Sequence, residues 1–193
     1  MNGRMEITRE TVQDVSLRSG AAVVVWPHPA LRRQCLEVDS PGEAAALAGR
    51  MLEVLSALGG LGLAAPQVGV PARLFVWEVD GVAGSVVNPA LVDPEGTCAS
   101  EEGCLSLPGV AATVERRASV TLVGVSAEDW SPLRVTAGGL LARVWQHELD
   151  HLGGLTLAER MSALDLVANS RALKRLRAAA GRAPRRRGGR SGW

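Results

Sequence analysis

Residues 146–151 read Gln146-His147-Glu148-Leu149-Asp150-His151, a histidine pair four positions apart with a glutamate after the first. The chain holds only three histidines, so two of the three fall inside this hexapeptide. On a helix, residues i and i+4 share a face, and both imidazoles then reach one ion while Glu148 stands beside it. A glutamate so placed takes a proton from the water that the metal activates. Catalytic sites of this kind use three protein ligands and keep one position open, so a third ligand must come from elsewhere in the chain.

The extended HExxHxxGxxH pattern of zinc endopeptidases would supply that ligand downstream. Gly154 occupies its glycine position, but Leu157 stands where the last histidine belongs, and no histidine follows His151. Glu159, the only acid between the motif and Asp165, is closer than the usual downstream glutamate of that class. Cysteine is the better source. Cys35 lies between Gln34 and Leu36 with no chemistry nearby, and Cys98 lies in the small-residue stretch Gly96-Thr97-Cys98-Ala99-Ser100, so both read as free thiols. Cys104 sits in Glu101-Glu102-Gly103-Cys104-Leu105-Ser106. There a glycine lets the backbone approach an ion, and the acids can orient the ligands.

With these residues in view, the chain resembles the peptide deformylases. Three blocks agree in order and spacing: Gly60-Leu61-Gly62-Leu63-Ala64-Ala65-Pro66-Gln67-Val68-Gly69, then Glu102-Gly103-Cys104-Leu105-Ser106, then the hexapeptide at 146–151. Weaker agreements at Pro29-Ala30-Leu31-Arg32, Asn88-Pro89, Gly154 and Arg160 extend the likeness over about residues 21–160. The resemblance implies removal of the formyl group from the N-terminal formylmethionine of new bacterial polypeptides. It implies Cys104, His147 and His151 as metal ligands and Glu148 as general acid and base. The side-chain amide of Gln67 and the backbone N–H of Leu105 become the donors to the oxyanion. Gly60, Leu61 and Gly62 become the loop that pairs with the substrate backbone, and Leu61, Leu140, Val144 and the carbon edge of His147 line the methionine pocket. The implied ion is Fe²⁺, with Zn²⁺, Ni²⁺ or Co²⁺ accepted by the same donors. Two positions depart from the pattern. Ala111 stands where many members carry an arginine that holds the peptide part of the substrate, and Arg143 stands where many carry an apolar or small residue.

What must position these residues is a single domain within a chain of 193 residues, long enough to bury a core without disulfide staples. The hydrophobic fraction of 47% and charged fraction of 21% are those of a soluble globular protein. One Phe, no Tyr and five Trp leave Leu, Val and Ala to build the core. No apolar run approaches the ~18 residues of a membrane span, and the first residues have no apolar signal region, so a cytoplasmic location is expected. An odd number of cysteines, three, argues against a disulfide framework. Charge is unevenly spread: residues 171–193 hold nine basic and no acidic residues, leaving the first 170 with a net −8. Such a tail suits a polyanion. Some deformylases dock on the ribosome through a C-terminal helix; the resemblance offers an rRNA contact here, and the plain alternative is a solvated helix with a disordered, solubilising end.

The element pattern predicts an α+β fold, with antiparallel strands around a central metal-binding helix over about 140–152 and a C-terminal helix. Ser40-Pro41-Gly42-Glu43 reads as a capping box opening a helix that stops at Gly59-Gly60. Strands are predicted at 21–26, 73–79, 85–88, 114–125 and 133–136, with loops at 61–71 and 93–100. A last helix starts near Ser162, with Leu166, Leu173 and Leu176 at helical spacing. The expected organisation is a poorly ordered segment over 1–20, one catalytic domain over 21–180, and a disordered basic tail over 181–193. Two other functions fit the same residues, a zinc endopeptidase and an RNA-associated protein that keeps the fold without activity.

Overall fold

The computed structural model describes residues 4–5, 7–8 and 23–182. The expectation for residues 1–20 falls almost wholly outside that range, as does the tail from 183 on.

In chain order the elements are β1 (Arg4–Met5), β2 (Glu37–Val38), α1 (Pro41–Leu58), β3 (Gly62–Ala64), β4 (Leu74–Val79), β5 (Val82–Glu95), β6 (Cys98–Gly103), β7 (Ala111–Arg116), β8 (Ser119–Val125), β9 (Pro132–Gly138), α2 (Gly139–Leu152), α3 (Leu157–Arg160), α4 (Ala163–Ala168) and α5 (Ser170–Arg182). Strands β3-β4-β5-β8-β9 form one antiparallel sheet in that order, and β6 pairs with β7 in a separate antiparallel hairpin. The α+β class holds.

Alternation along β4 builds two cores. Leu74 and Val76 face one side of the sheet with Leu47, Met51 and Leu55 of α1, while Phe75 and Trp77 face the other with Trp145 and Leu152 of α2. Each such side chain contributes roughly 1.5–3 kcal/mol of burial. Trp77 and Trp145 meet edge-on with centroids 5.6 Å apart, and Phe75 lies 5.9 Å from Trp77, so three of the few aromatics gather between the sheet and α2. A third core joins Leu107, Val110, Ala112 and Val114 to Trp26, Leu31, Leu157, Ala172 and Leu173, and so fastens the hairpin to the C-terminal helix.

Several local expectations are corrected. Helix α1 spans the predicted residues and ends at Gly59 with φ 63, but the Ser40 side chain makes no cap; with the Pro41 ring setting φ, the Ala44 N–H closes the first turn on the Ser40 carbonyl at 3.0 Å. Residues 93–100 are not a loop: β5 runs to Glu95 and β6 begins at Cys98. Asn88 and Asp93, each before a proline, take φ of 50° and 49° where the β5–β8 register shifts, so punctuation that reads as turns makes bulges within one strand. The stretch 61–71 holds β3 and a 3-10 turn at Ala65–Val68. The predicted strand at 114–125 is two strands in different sheets, divided at Arg117-Ala118. Residues 23–26 form no strand, though the Val24 and Trp26 N–H groups bond the carbonyls of Gln67 and Ser106 at 2.8 and 2.9 Å.

The final helix is broken at Asn169, whose side chain donates to the Ala111 carbonyl at 2.8 Å and to the Asp165 carbonyl at 2.9 Å. Competition of this kind from a short amide ends α4 and starts α5. That helix continues through Arg182, past the predicted end of the ordered domain. Among the described residues no helix is long and apolar enough to cross a membrane.

Candidate metal centre

Helix α2 offers two adjacent faces. Arg143, His147 and Asp150 follow one another at helical spacing toward the β6–β7 hairpin, while Val144 and Glu148 lie beside the glycine loop. His147 and His151 are one turn apart, with ring centroids separated by 5.1 Å. Cys104 follows β6 directly, and its Sγ lies 3.3 Å from His151 Nε2. One ligand atom from each of Cys104, His147 and His151 lies within 4.8 Å of the others. Gly103 is not needed for this approach, since a Cβ there would meet nothing nearer than the Val110 carbonyl at 4.0 Å.

Behind these atoms lies a buried ionic row. Glu102 Oε2 pairs with His147 Nδ1 at 2.9 Å, which leaves Nε2 as the nitrogen able to ligate. Arg116 clasps the same carboxylate with Nε at 2.9 Å and Nη2 at 3.0 Å, and its Nη1 donates to Asp150 at 2.6 Å. Arg160 closes the row on Asp150. Burial alone would raise the Glu102 carboxyl, but the hydrogen bonds from His147 and Arg116 overcome it and bring it to about 2. Burial would lower Arg116, and Glu102 and Asp150 reverse that, holding the guanidinium above its ordinary value. Burial also disfavours charge on both histidines. At His147 the bonds to Cys104 and Glu102 win and hold it well above the usual range; His151 stays well below, with the His147 charge adding to burial.

The glycine loop brings the remaining candidates. Gln67 is buried, and its Oε1 accepts the Ala64 N–H at 2.8 Å. That bond settles which way the amide points: Nε2 faces Ser106 Oγ at 3.3 Å and Cys104 Sγ at 3.8 Å. A Cβ on Gly62 would stand 2.5 Å from Glu148 Oε1 and 2.8 Å from Val144, and one on Gly60 would stand 2.9 Å from the Leu105 side chain. Burial pushes the Glu148 carboxyl up to about 7 against the opposing pull of His147. Gly60, Leu61, Gly62, Gln67, Cys104, Leu105, Leu140, Val144, His147 and Glu148 all border one cleft of about 480 Å³, with His151 fully buried behind it.

The donors fit a divalent ion. Glu148 Oε2 and His151 Nδ1 are buried without a hydrogen-bond partner, whereas Glu102, the other buried acid among the described residues, is fully engaged. An unpaired buried carboxyl oxygen costs stability unless a bound group satisfies it. One thiol and two imidazoles suit zinc or ferrous iron.

Residues 21–166 match the family described as polypeptide deformylase. The chain belongs to that family. A peptide deformylase of Thermodesulfovibrio yellowstonii is 37% identical over 145 residues, covering 72% of this chain and 87% of that one. The peptide deformylase structure from Legionella pneumophila aligns with a TM-score of 0.75 at 34% identity, covering 84% of this chain and 98% of its own. That from Thermus thermophilus gives 0.76 at 35% identity, covering 82% and 98%.

Set in this deformylase-family chain, the two departures take on a physical meaning. Ala111 is exposed at the start of β7, and its carbonyl is held by Asn169 while Gly109 and Val110 form the adjoining cleft wall. Arg143 borders the cleft, but its guanidinium is spent on Glu102 and on the carbonyls of Val114 and Cys98, so its carbon stem is what remains for the wall. Arg116, Asp150 and Ser106 escaped sequence reasoning. For Arg116 the one available signal was its place, an arginine on the inward phase of the alternation Ala112, Val114, Arg116.

Proposed function

We propose that the chain is a metal-dependent hydrolase that removes the formyl group from the N-terminal formylmethionine of newly made polypeptides. The observation carrying this reading is the convergence of Cys104, His147 and His151 beside the buried, unpaired oxygen of Glu148. Those three residues would hold one ion, with ferrous iron proposed and zinc, nickel or cobalt as substitutes. When bound, the ion supplies Lewis acidity toward the formyl oxygen and the attacking water.

The chain's own groups do the rest. Glu148, poised by burial, accepts the water proton at its free oxygen and returns it to the departing amine nitrogen. Gln67 Nε2, aimed by the Ala64 bond, donates with the Leu105 N–H to the oxygen that gains charge. Strand β3, which begins at Gly62, is the terminal strand of its sheet, so its outer edge, with Gly60 and Leu61 leading into it along the cleft, supports pairing with an extended peptide. Leu61, Leu140 and Val144 border the space for the methionine side chain.

We further propose that α5 meets ribosomal RNA where new chains emerge in the cytoplasm. Arg171, Lys174, Arg175 and Arg177 are exposed on it while Ala172 and Leu173 are buried, which suits a basic face on an anchored helix.

The reading is tested by metal content together with hydrolysis of formyl-Met-Ala-Ser. One ion per chain and formate release that stops on chelation are expected. Cleavage of internal peptide bonds would favour an endopeptidase, and absence of both ion and activity would sink the reading.

A further inference from the structure

Arg143 stands one helical turn before His147 and reaches across to the hairpin at three acceptors. Its Nη1 donates to Glu102 Oε1 at 3.0 Å and to the Val114 carbonyl at 3.1 Å, and its Nη2 donates to the Cys98 carbonyl at 3.0 Å. The side chain is only 11% exposed. Cys98 opens β6, Glu102 lies near its end, and Val114 is in β7, so one guanidinium touches the hairpin at three separate points. Arg116 also holds Glu102, but it belongs to β7, so that pair is internal to the hairpin; its tie to α2 is made beyond His147, at Asp150. Gln146 also joins α2 to Arg117, just past the end of β7, accepting its N–H at 2.9 Å and donating to its carbonyl at 3.0 Å, so Arg143 is the side chain ahead of His147 that reaches both β6 and β7.

We propose that Arg143 is a positioning residue for the metal centre, fixing the hairpin that carries Cys104 against the helix that carries His147 and His151. The inference rests on reading those three as ligands. Cys104 lies just past the end of β6, so any slide of the hairpin along α2 moves its sulfur relative to both imidazoles. Three bonds from one planar fork, running to acceptors at different points along the hairpin, resist sliding in either direction. A lysine has a single nitrogen and cannot span them. If Arg143 served only as cleft wall, its replacement would change KM for formylated peptides and leave the ion's hold unaltered.

The test loads wild type, Arg143→Met and Arg143→Lys with zinc, adds excess chelator, and follows zinc release with a colorimetric indicator. Thermal unfolding of the metal-free forms reports separately on the fold. Arg143→Met is expected to release zinc roughly 10–100-fold faster than wild type, the usual effect of removing a group that orients ligands, with Arg143→Lys between the two. Release at the wild-type rate from both variants overturns the proposal. Should Arg143→Met not fold, Arg143→Lys decides alone, and a wild-type rate from it is fatal. A wild type that binds no zinc, nor any other divalent ion, overturns the functional reading and this inference with it, so the two failures are told apart.

Discussion

Gly62 and Glu148 lie so close that a methyl group on the glycine would stand 2.5 Å from the carboxylate oxygen Oε1. Glu148 is only 3% exposed, with Val144 alongside, so its carboxyl has little room to step back. The absence of a side chain at 62 is thus part of what sets Glu148, the proposed proton carrier, in place. Gly62→Ala is expected to lower kcat by about 100-fold or more while leaving the bound ion, because small displacements of a catalytic group cost that much. Steady-state kinetics with metal analysis check it; near-normal kcat would mean the carboxyl can shift without penalty.

The three cysteines should separate by reactivity. Burial, only partly offset by Arg73, pushes the Cys35 thiol up to about 12, whereas Cys98 is exposed. A raised thiol pKa keeps the proton on as pH climbs, so at pH 8 only about one Cys35 in 10⁴ is the reactive thiolate. Alkylation at that pH is expected to mark Cys98 alone in the loaded protein, Cys98 and Cys104 after chelation, and all three in denaturant. Mass spectrometry of the labelled peptides reads the result. Early labelling of Cys104 in loaded protein would speak against its role as a ligand, and early labelling of Cys35 against its burial.

Part of this architecture was open to reading from the sequence. Four-residue spacing made His147 and His151 plain, and the apolar run in β4 and the glycine stop of α1 were equally direct. Strand β6 was hidden because its single buried residue is Glu102, leaving apolar periodicity nothing to act on. The two-arginine clasp on Glu102 was hidden for a different reason. Which guanidinium reaches which carboxylate depends on the hairpin register, with Cys98 opposite Arg116 and Glu102 opposite Ala112, and on where α2 lies across it. No local pattern carries that information. Asn169 shows the same limit, since its bond to the Ala111 carbonyl joins segments 58 residues apart and splits a helix that spacing alone would run together.

The basic C-terminus gives a salt-dependent prediction. Contacts between lysine or arginine and phosphate release counterions, so binding weakens steeply as salt rises. The full chain is expected to co-sediment with ribosomes at low salt and to leave them at high salt, with less pelleting once residues 183–193 are removed. Equal pelleting of full and shortened chains at every salt concentration would show that those residues are not the anchor.

Glu148→Gln tests the account most directly, because it separates holding the ion from moving the proton. Glutamine keeps the size of the side chain and removes its ability to carry a proton, and Glu148 is not among the three converging ligand donors. The variant is expected to keep one ion per chain and to lose turnover of formyl-Met-Ala-Ser by several orders of magnitude, somewhat beyond the ~10²–10⁴-fold typical of general acid–base catalysis because both proton transfers are lost. Turnover near the wild-type rate in a variant with its ion in place would contradict the account, since some other group would then be carrying the proton.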